Sequence, residues 1–549
     1  MRVRNILLGY VLLHSAQALY LRDTSYTSLT ARANSKEPSL TATANSKEPT
    51  LEWSQCNLDF GTKDQNEMQK EFDCARLQVP LDYTNSSDTR TIKLDLIRFK
   101  ATKAPHKGSM FFNPGGPGAS AVESMLGFGP ILSDNVNGQY DIIGFDSRGT
   151  GRTIPFTCPE PTPSEDTTGL KPRDFNDLPQ LYTWDFFKTV WWKEGDEFAE
   201  RCWEANQDMG QFYGTTAVAR DMMSVVDALG QGDKLNYWGV SYGTVLGQVV
   251  ASMFPNRVGR IVLDGNMNAD DYAATAWLDS ITDVERSLAN FFDECVKSGK
   301  KACALADFHG SKTTGESLLE TFNEKLKVAF ADTASKDESY EAYTLKQNVM
   351  SGLYRPALYS ALSNTIEAFF KGEKPNKTPK RSDTSQPSVP TKTWSSSMNY
   401  ILPAIACGDS SYRINDPDDY FPLYQAQYEK SSFADVVVPD TIKCVKWRFS
   451  AVEPIDLNKL RQVNTSNPIL LVNGRYDPAT SLPSALKVAA KFPRSRLVVH
   501  EGVGHSSFAH LSSCTLNAVR KYFLYGKMPG VNTTCSPDMT AFEFGKLSG

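Results

Sequence analysis

Gly239-Val240-Ser241-Tyr242-Gly243 stands between an apolar run, Leu235-Asn236-Tyr237-Trp238, and a helix-like run from Thr244 to Phe254. No other feature constrains the fold of this chain as much. A serine between two glycines that follows a strand and opens a helix sits on a sharp turn, because side chains on the flanking positions would collide there. Such a turn strains the serine backbone and exposes its hydroxyl at the end of a strand, where the following helix N-terminus favours developing negative charge. As a bare pattern G-x-S-x-G recurs by chance in long chains. The strand-then-helix setting gives it meaning, and it predicts Ser241 as a nucleophile.

The rest of the chain fits a sheet built around that turn. Ala75 to Tyr83 and Thr91 to Lys100 read as early strands. Ser109 to Phe112, Tyr140 to Phe145, Arg260 to Leu263, Pro468 to Val472 and Ser495 to Val499 are short apolar runs that end in Gly, Pro or Asp clusters. Amphipathic helical stretches such as Thr216 to Leu229 alternate with them, which predicts an α/β fold: a mostly parallel sheet with helices on both faces. With 549 residues the chain exceeds what one core usually supports. From about Asn268 to 445 it turns helix-like and rich in Trp and Tyr, with a polar stretch at Lys371 to Thr393 read as an exposed loop. The economical division is a core at 53–268 and 446–549 interrupted by a mainly helical insertion at 269–445.

A serine hydroxyl needs a base, and the base an orienting acid. In nucleophile-elbow enzymes these follow in the order Ser, Asp or Glu, His. Asp477 lies just past the run 468–472, and His505 just past 495–499. Both therefore fall on loops at strand C-terminal ends, the edge where open α/β sheets carry their sites. Of the six histidines, His14 belongs to the N-terminal segment, and His106 and His309 miss the expected place. His500 sits in or at the end of its strand, and His510, the near rival, suits a helix-borne structural role. Asp264 ends the strand after the elbow and rivals Asp477, but Asp264-Gly265 also suits a simple turn. The cluster Asn113-Pro114-Gly115-Gly116-Pro117-Gly118 follows an apolar strand, where an oxyanion loop belongs. Backbone N–H groups of Gly115 and Gly116 are the candidate donors, joined by that of Tyr242. The loop lacks G-x-x-x-x-G-K-[ST] and is no phosphate loop.

Composition narrows the setting. A net charge of −5 with no long Lys/Arg stripe argues against nucleic acid as a partner. Arg2 and Arg4, the apolar run Ile6 to Leu13 and Ala16-Gln17-Ala18 predict a secretory signal over residues 1–18. That run is too short for the ~20 residues a membrane span needs, and no later segment qualifies, so no membrane association is expected. Residues 28–38 recur almost verbatim at 39–49. Two short polar copies cannot build a solenoid, and 19–52 reads as a disordered spacer. Ten cysteines, an even number without a C-x-x-C pair, suit disulfides in an oxidising compartment. Sequential pairing would close five modest loops without threading the chain, although spacing does not fix connectivity. Asn85, Asn376, Asn464 and Asn532 are candidate glycosylation sites.

Taken together, Asn113 to Gly118, Asp146-Ser147-Arg148-Gly149-Thr150-Gly151, the elbow, Asn473 to Asp477 and Gly504-His505 resemble the secreted tripeptidyl-aminopeptidase and prolyl-aminopeptidase family of α/β-hydrolase serine peptidases. Ala404 to Asp409 and Cys444 to Trp447 resemble it as well, and the likeness runs from about residue 50 onward. Many prolyl aminopeptidases carry His-Gly-Gly-Pro-Gly where this chain has Asn113-Pro114-Gly115-Gly116-Pro117-Gly118, which suits the tripeptidyl branch better. The resemblance implies an α/β-hydrolase fold whose insertion caps the site, and an exopeptidase that removes short peptides or single residues from free N-termini. Asp409 and Glu123 could in principle hold a substrate ammonium, but a salt-bridged or solvated role is commoner, and neither is placed in the site. Peptide or small-molecule substrates are expected, with no metal or organic cofactor. A secreted esterase, lipase or small-molecule hydrolase could use the same triad, and a non-catalytic binding protein could share the fold.

Overall fold

The computed structural model of the chain describes residues 51–159, 184, 187–331, 336–373, 398–436 and 438–548. The expected signal, all but the end of the spacer, the Asn376 sequon and nearly all of the polar stretch after Lys371 lie outside the described residues. Within them, ten strands form one sheet. They are β1 (Ser54–Gln55), β2 (Asp73–Pro80), β3 (Thr91–Phe99), β4 (Ser109–Asn113), β5 (Asp141–Phe145), β6 (Leu235–Val240), β7 (Val258–Asp264), β8 (Leu470–Tyr476), β9 (Arg496–Val503) and β10 (Thr534–Cys535). Their order is β1-β2-β3-β5-β4-β6-β7-β8-β9-β10. The pairs β1/β2, β2/β3 and β3/β5 are antiparallel, and all the others are parallel. This is the α/β-hydrolase fold. The two-residue edge strands β1 and β10 have no counterpart among the apolar runs of the sequence.

Why the central strands read as unbroken apolar runs is visible in the packing. Consecutive residues of one strand point to opposite faces. Phe112, Ile142, Trp238, Val262 and Leu470 pack on one face with helices Ala121–Asn135 and Ser513–Tyr525. Their neighbours Phe111, Ile143, Tyr237, Leu263 and Leu471 pack on the other, with helices Thr215–Leu229 and Tyr242–Met253. Both faces are covered, so no polar alternation is required. Helix Ala121–Asn135 connects β4 to β5 on one face, whereas helix Thr215–Leu229 leads into β6 on the other. The order thus reverses at β4, and a crevice opens at the C-terminal ends of β4 and β6.

Between β7 and β8 the described chain is helical, including Val284–Ser298, Gly315–Ala329, Lys336–Leu353, Tyr359–Lys371, Met398–Asp409 and Val438–Val445. Helix Trp192–Asn206, which precedes β6 and falls in the stretch expected to be core, packs on that insertion instead. A Cβ on its Gly195 would lie 2.4 Å from Ile442 Cγ2, and Phe187 just before it stacks on Tyr420 at 4.8 Å. All ten cysteines are paired in sequence order: Cys56–Cys74, Cys158–Cys202, Cys295–Cys303, Cys407–Cys444 and Cys514–Cys535. Among the described residues no helix is long and apolar enough to cross a membrane.

Candidate active site

Ser241 caps helix Tyr242–Met253 with φ 57° and ψ −124°, a left-handed backbone rare for a residue with a side chain. Three hydrogen bonds hold it there. Ser241 N–H donates to Asp264 O (3.1 Å), and Ser241 O accepts from Thr244 N–H (2.8 Å) and the Thr244 hydroxyl (2.6 Å). The flanking glycines are needed for space. A Cβ on Gly239 would meet Gly243 O at 2.3 Å, and one on Gly243 would meet Asn113 O and Oδ1 at 2.9 Å.

The glycine loop after β4 lies directly against this turn. Gly115 has φ 101°, and a Cβ there would lie 2.6 Å from Val240 O and 2.8 Å from Ser241 Cβ. Its N–H donates to Asn113 Oδ1 at 3.0 Å, so of the two loop donors suggested by the sequence Gly115 is already engaged. The N–H groups of Gly116 and Tyr242 have no acceptor among the described residues. Behind the loop, Ser120 caps helix Ala121–Asn135. The buried Asp146 carboxylate accepts from Ser120 Oγ (2.9 Å) and Val122 N–H (3.0 Å). Burial pushes Asp146 up to about 8 despite those donors.

Asp477 and His505 meet at the ends of β8 and β9. His505 Nδ1 lies 3.1 Å from each oxygen of the fully buried Asp477 carboxyl. Asp477 Oδ1 accepts from the N–H groups of Ala479 (2.9 Å) and Thr480 (2.8 Å). Its Oδ2 accepts from Thr480 Oγ1 (2.7 Å) and Ser506 N–H (2.9 Å). Burial alone would raise this carboxyl, but the neighbouring His505 and these donors outweigh it and leave its pKa lowered. Gly265 links the pair to the elbow. It follows Asp264, whose carbonyl binds Ser241 N–H, and a Cβ on it would lie 3.5 Å from both Asp477 Oδ2 and His505 Cε1. Ser241 Oγ and His505 share no hydrogen bond in this structure.

The rivals are otherwise engaged. Asp264 accepts from Ser507 N–H (2.9 Å), the Ser507 hydroxyl and Trp238 Nε1 (3.4 Å), and burial raises it to about 6. His500 lies inside β9 with Nδ1 3.1 Å from Thr515 Oγ1. His510 is not helix-borne as expected: it sits in the turn before helix Ser513–Tyr525, with Nε2 donating to Met539 O at 2.8 Å. Glu123 accepts from Gln65 (2.9 Å), and Asp409 is buried among hydroxyls.

Two neighbours of the Asp477–His505 pair escape sequence reasoning. Thr480 binds Asp477 and stands 3.3 Å from His505 Nδ1; its only signal is a hydroxyl three residues past the aspartate of an Asp-Pro pair. Tyr354, in the insertion, has none. Its carbonyl accepts the His505 N–H (3.0 Å), and its ring lies edge-on to the imidazole at 5.2 Å. Beside the imidazole Tyr354 also borders an apolar cavity with Pro114, Val240, Phe112, Phe128 and Phe508.

The chain is similar to several known proteins. The TAP-like protein family matches residues 429–535, the stretch that holds Asp477 and His505. A tripeptidyl aminopeptidase of Streptomyces lividans is 25% identical over 503 residues, spanning 89% of this chain and 87% of that protein. The chain is a serine hydrolase of the α/β-hydrolase fold. Serine protease Hip1 of Mycobacterium tuberculosis is 31% identical to the hydrolase over 253 residues, 45% of each chain. Among solved structures, an esterase of Thermogutta terrifontis aligns over 81% of the hydrolase and 98% of that chain, with 12% identity and a TM-score of 0.34.

Proposed function

We propose that the hydrolase is a secreted serine exopeptidase that removes short peptides or single residues from free N-termini, with Ser241, His505 and Asp477 as its triad. The observation that carries this reading is the Asp477–His505 pair, held 3.1 Å apart beside a serine in a strained elbow. His505 takes the Ser241 proton as Oγ attacks the scissile carbonyl, and Asp477 fixes the imidazole tautomer and balances its positive charge. The N–H groups of Tyr242 and Gly116 receive the oxyanion. His505 then protonates the leaving amine, and water hydrolyses the acyl-enzyme by the reverse sequence. Similarity to proteins named for peptidase activity over most of the chain supports a peptide substrate. The insertion supports exopeptidase action, because through Tyr354 it stands against His505, where it would limit the approach of a long chain. Five disulfides and exposed sequons at Asn85, Asn464 and Asn532 support passage through a secretory pathway.

The apolar cavity beside His505 would equally suit the acyl or alcohol part of an ester, so esterase activity is the second reading. The two are separated by comparing free and N-blocked peptidyl amides with simple esters. The exopeptidase reading expects blocked amides to be lost and free ones turned over; equal cleavage of both, or turnover of esters alone, overturns it. Ser241→Ala should abolish turnover and fluorophosphonate labelling together. Labelling that survives the substitution removes Ser241 from the mechanism.

A further inference from the structure

Helix Thr215–Leu229 begins without a cap of its own. Gly214 occupies the N-cap position and has no side chain to accept the first N–H groups. The acceptor comes from the insertion. Asp409, the last residue of helix Met398–Asp409, is 5% exposed, and its Oδ1 accepts from Thr215 N–H at 2.8 Å. Its Oδ2 accepts from the Thr215 hydroxyl and from Tyr272 OH (2.9 Å). A carboxylate at a helix N-terminus is also favoured by the helix dipole. The glycine makes room for it, since a Cβ on Gly214 would approach Asp409 Oδ1 to 3.1 Å and Ala451 Cβ to 2.5 Å.

The network does not stop at the cap. Thr215 Oγ1 lies 2.7 Å from the hydroxyl of Tyr242, the residue after the nucleophile, and the Tyr242 and Tyr272 rings are 5.7 Å apart. At the other end of helix Met398–Asp409, Ile401 bears on the glycine loop: a Cβ on Gly118 would meet Ile401 Cγ2 at 2.6 Å. One insertion helix therefore bears on the glycine loop directly through Ile401 and on Tyr242 by way of Thr215, from positions about 12 Å apart along its axis. Its C-terminal end is fixed by Cys407–Cys444 and by Arg413, which donates to Cys407 O (2.7 Å) and Phe449 O (3.0 Å).

We propose that Asp409 is a positioning residue for the oxyanion hole, acting through Thr215 and the Tyr242 side chain to fix the backbone N–H that follows Ser241. The proposal rests on the serine-hydrolase mechanism above. Asp409 is buried and fully engaged by protein donors, so it acts without touching substrate. The carboxylate considered for a substrate ammonium instead ties the insertion to the elbow. Burial raises its pKa to about 6, while the Thr215 and Tyr272 donors favour the charged form.

The test compares Asp409→Asn and Tyr242→Phe with the native enzyme. Tyr242→Phe removes the link to Thr215 and leaves the Asp409 cap whole, so it decides the matter if Asp409→Asn does not fold. Loss of a complete oxyanion donor costs about 10²–10³-fold in kcat, and a displaced donor should cost less, about 10- to 100-fold. KM should stay within about threefold, and the affinity for a boronic acid transition-state analogue should fall by the same factor as kcat/KM. A purely structural role would lower the active fraction and leave boronate affinity unchanged, which overturns the proposal. So does a Tyr242→Phe enzyme with kcat and boronate affinity within twofold of native. If Ser241→Ala still turns over substrate, the mechanism itself fails, an outcome distinct from either.

Discussion

Asp477→Asn separates the two candidate acids, and its effect can be worked from the hydrogen bonds. Asp477 accepts two N–H groups on Oδ1, one N–H and one hydroxyl on Oδ2, and His505 Nδ1 on both. An asparagine must turn its NH2 toward one of those sets. In one orientation it faces the Ala479 and Thr480 N–H groups, in the other the Ser506 N–H, at positions now 2.8–2.9 Å from an acceptor. Either way a donor meets donors, the imidazole loses its charge partner, and one of the two oxygens facing Nδ1 becomes an NH2 that favours the wrong tautomer. The corresponding substitution in a serine protease triad lowers kcat about 10⁴-fold, which is about 5.4 kcal/mol of transition-state stabilisation. Lost charge-assisted hydrogen bonds should remove a further ~3 kcal/mol from folding stability. Asp264→Asn is the control. Its partners are Ser507 and Trp238, and none is on His505. It should destabilise the fold comparably yet lower kcat no more than about tenfold. Steady-state hydrolysis of a chromogenic substrate, with the thermal midpoint as the measure of folding, reads both. If Asp264→Asn costs the 10⁴ and Asp477→Asn costs less than tenfold, the assignment of the acid is wrong.

Two further outcomes follow from the same geometry. Gly115→Ala places a Cβ 2.6 Å from Val240 O and 2.8 Å from Ser241 Cβ at φ 101°; kcat should drop by more than about 100-fold, as for loss of an oxyanion donor, and native kcat would show that the loop does not bear on the elbow. The thermal midpoint should peak near pH 4 and fall toward pH 8, because between about pH 4 and 6 three raised carboxyls outweigh one lowered histidine. Asp146 (raised to about 8), Asp264 and Asp409 (each raised to about 6) bind protons more tightly folded than unfolded, so their stabilisation is complete in acid and is lost as pH rises through those values. His500, lowered by burial to about 4, works in the other direction: stability is lost as pH falls below the unfolded value of 6.5 toward 4. The lowered Asp477 adds a further loss below about 4. A midpoint that climbs steadily from pH 6 to 9 would contradict these directions.

How much of this was legible in the sequence depended on whether an interaction is local. The central strands were, because burial on both faces forces continuous apolar runs such as Met110-Phe111-Phe112 and Ile261-Val262-Leu263. The meeting of Asp477 and His505 at one edge was, because parallel strands deliver their C-terminal ends there and each residue directly follows such a run. The insertion's share was not. Tyr354 reaches His505 from 151 positions away, through a main-chain carbonyl that any residue would supply. The loss of Gly115 as a free donor was hidden for a different reason. It depends on the rotamer of Asn113, which a Gly/Pro-rich loop does not disclose.

Asp409 shows how such distant partners can still be sought. Local rules place Ser, Thr, Asp or Asn at the start of a helix, and Ser120, Thr314, Ser481 and Ser512 obey them with a side-chain hydrogen bond to the third residue on. Gly214 breaks the rule at a helix whose first residue is fully buried, where unpaired N–H groups would be costly. The missing acceptor must therefore come from elsewhere in the chain. A buried acid in another element is the natural source, and here it lies in the insertion. A gap in local capping next to the elbow is thus a sequence-level sign that the insertion and the Ser241 turn are built as one unit. It also accounts for a glycine at the head of this helix, since a side chain at 214 would exclude the carboxylate that caps it.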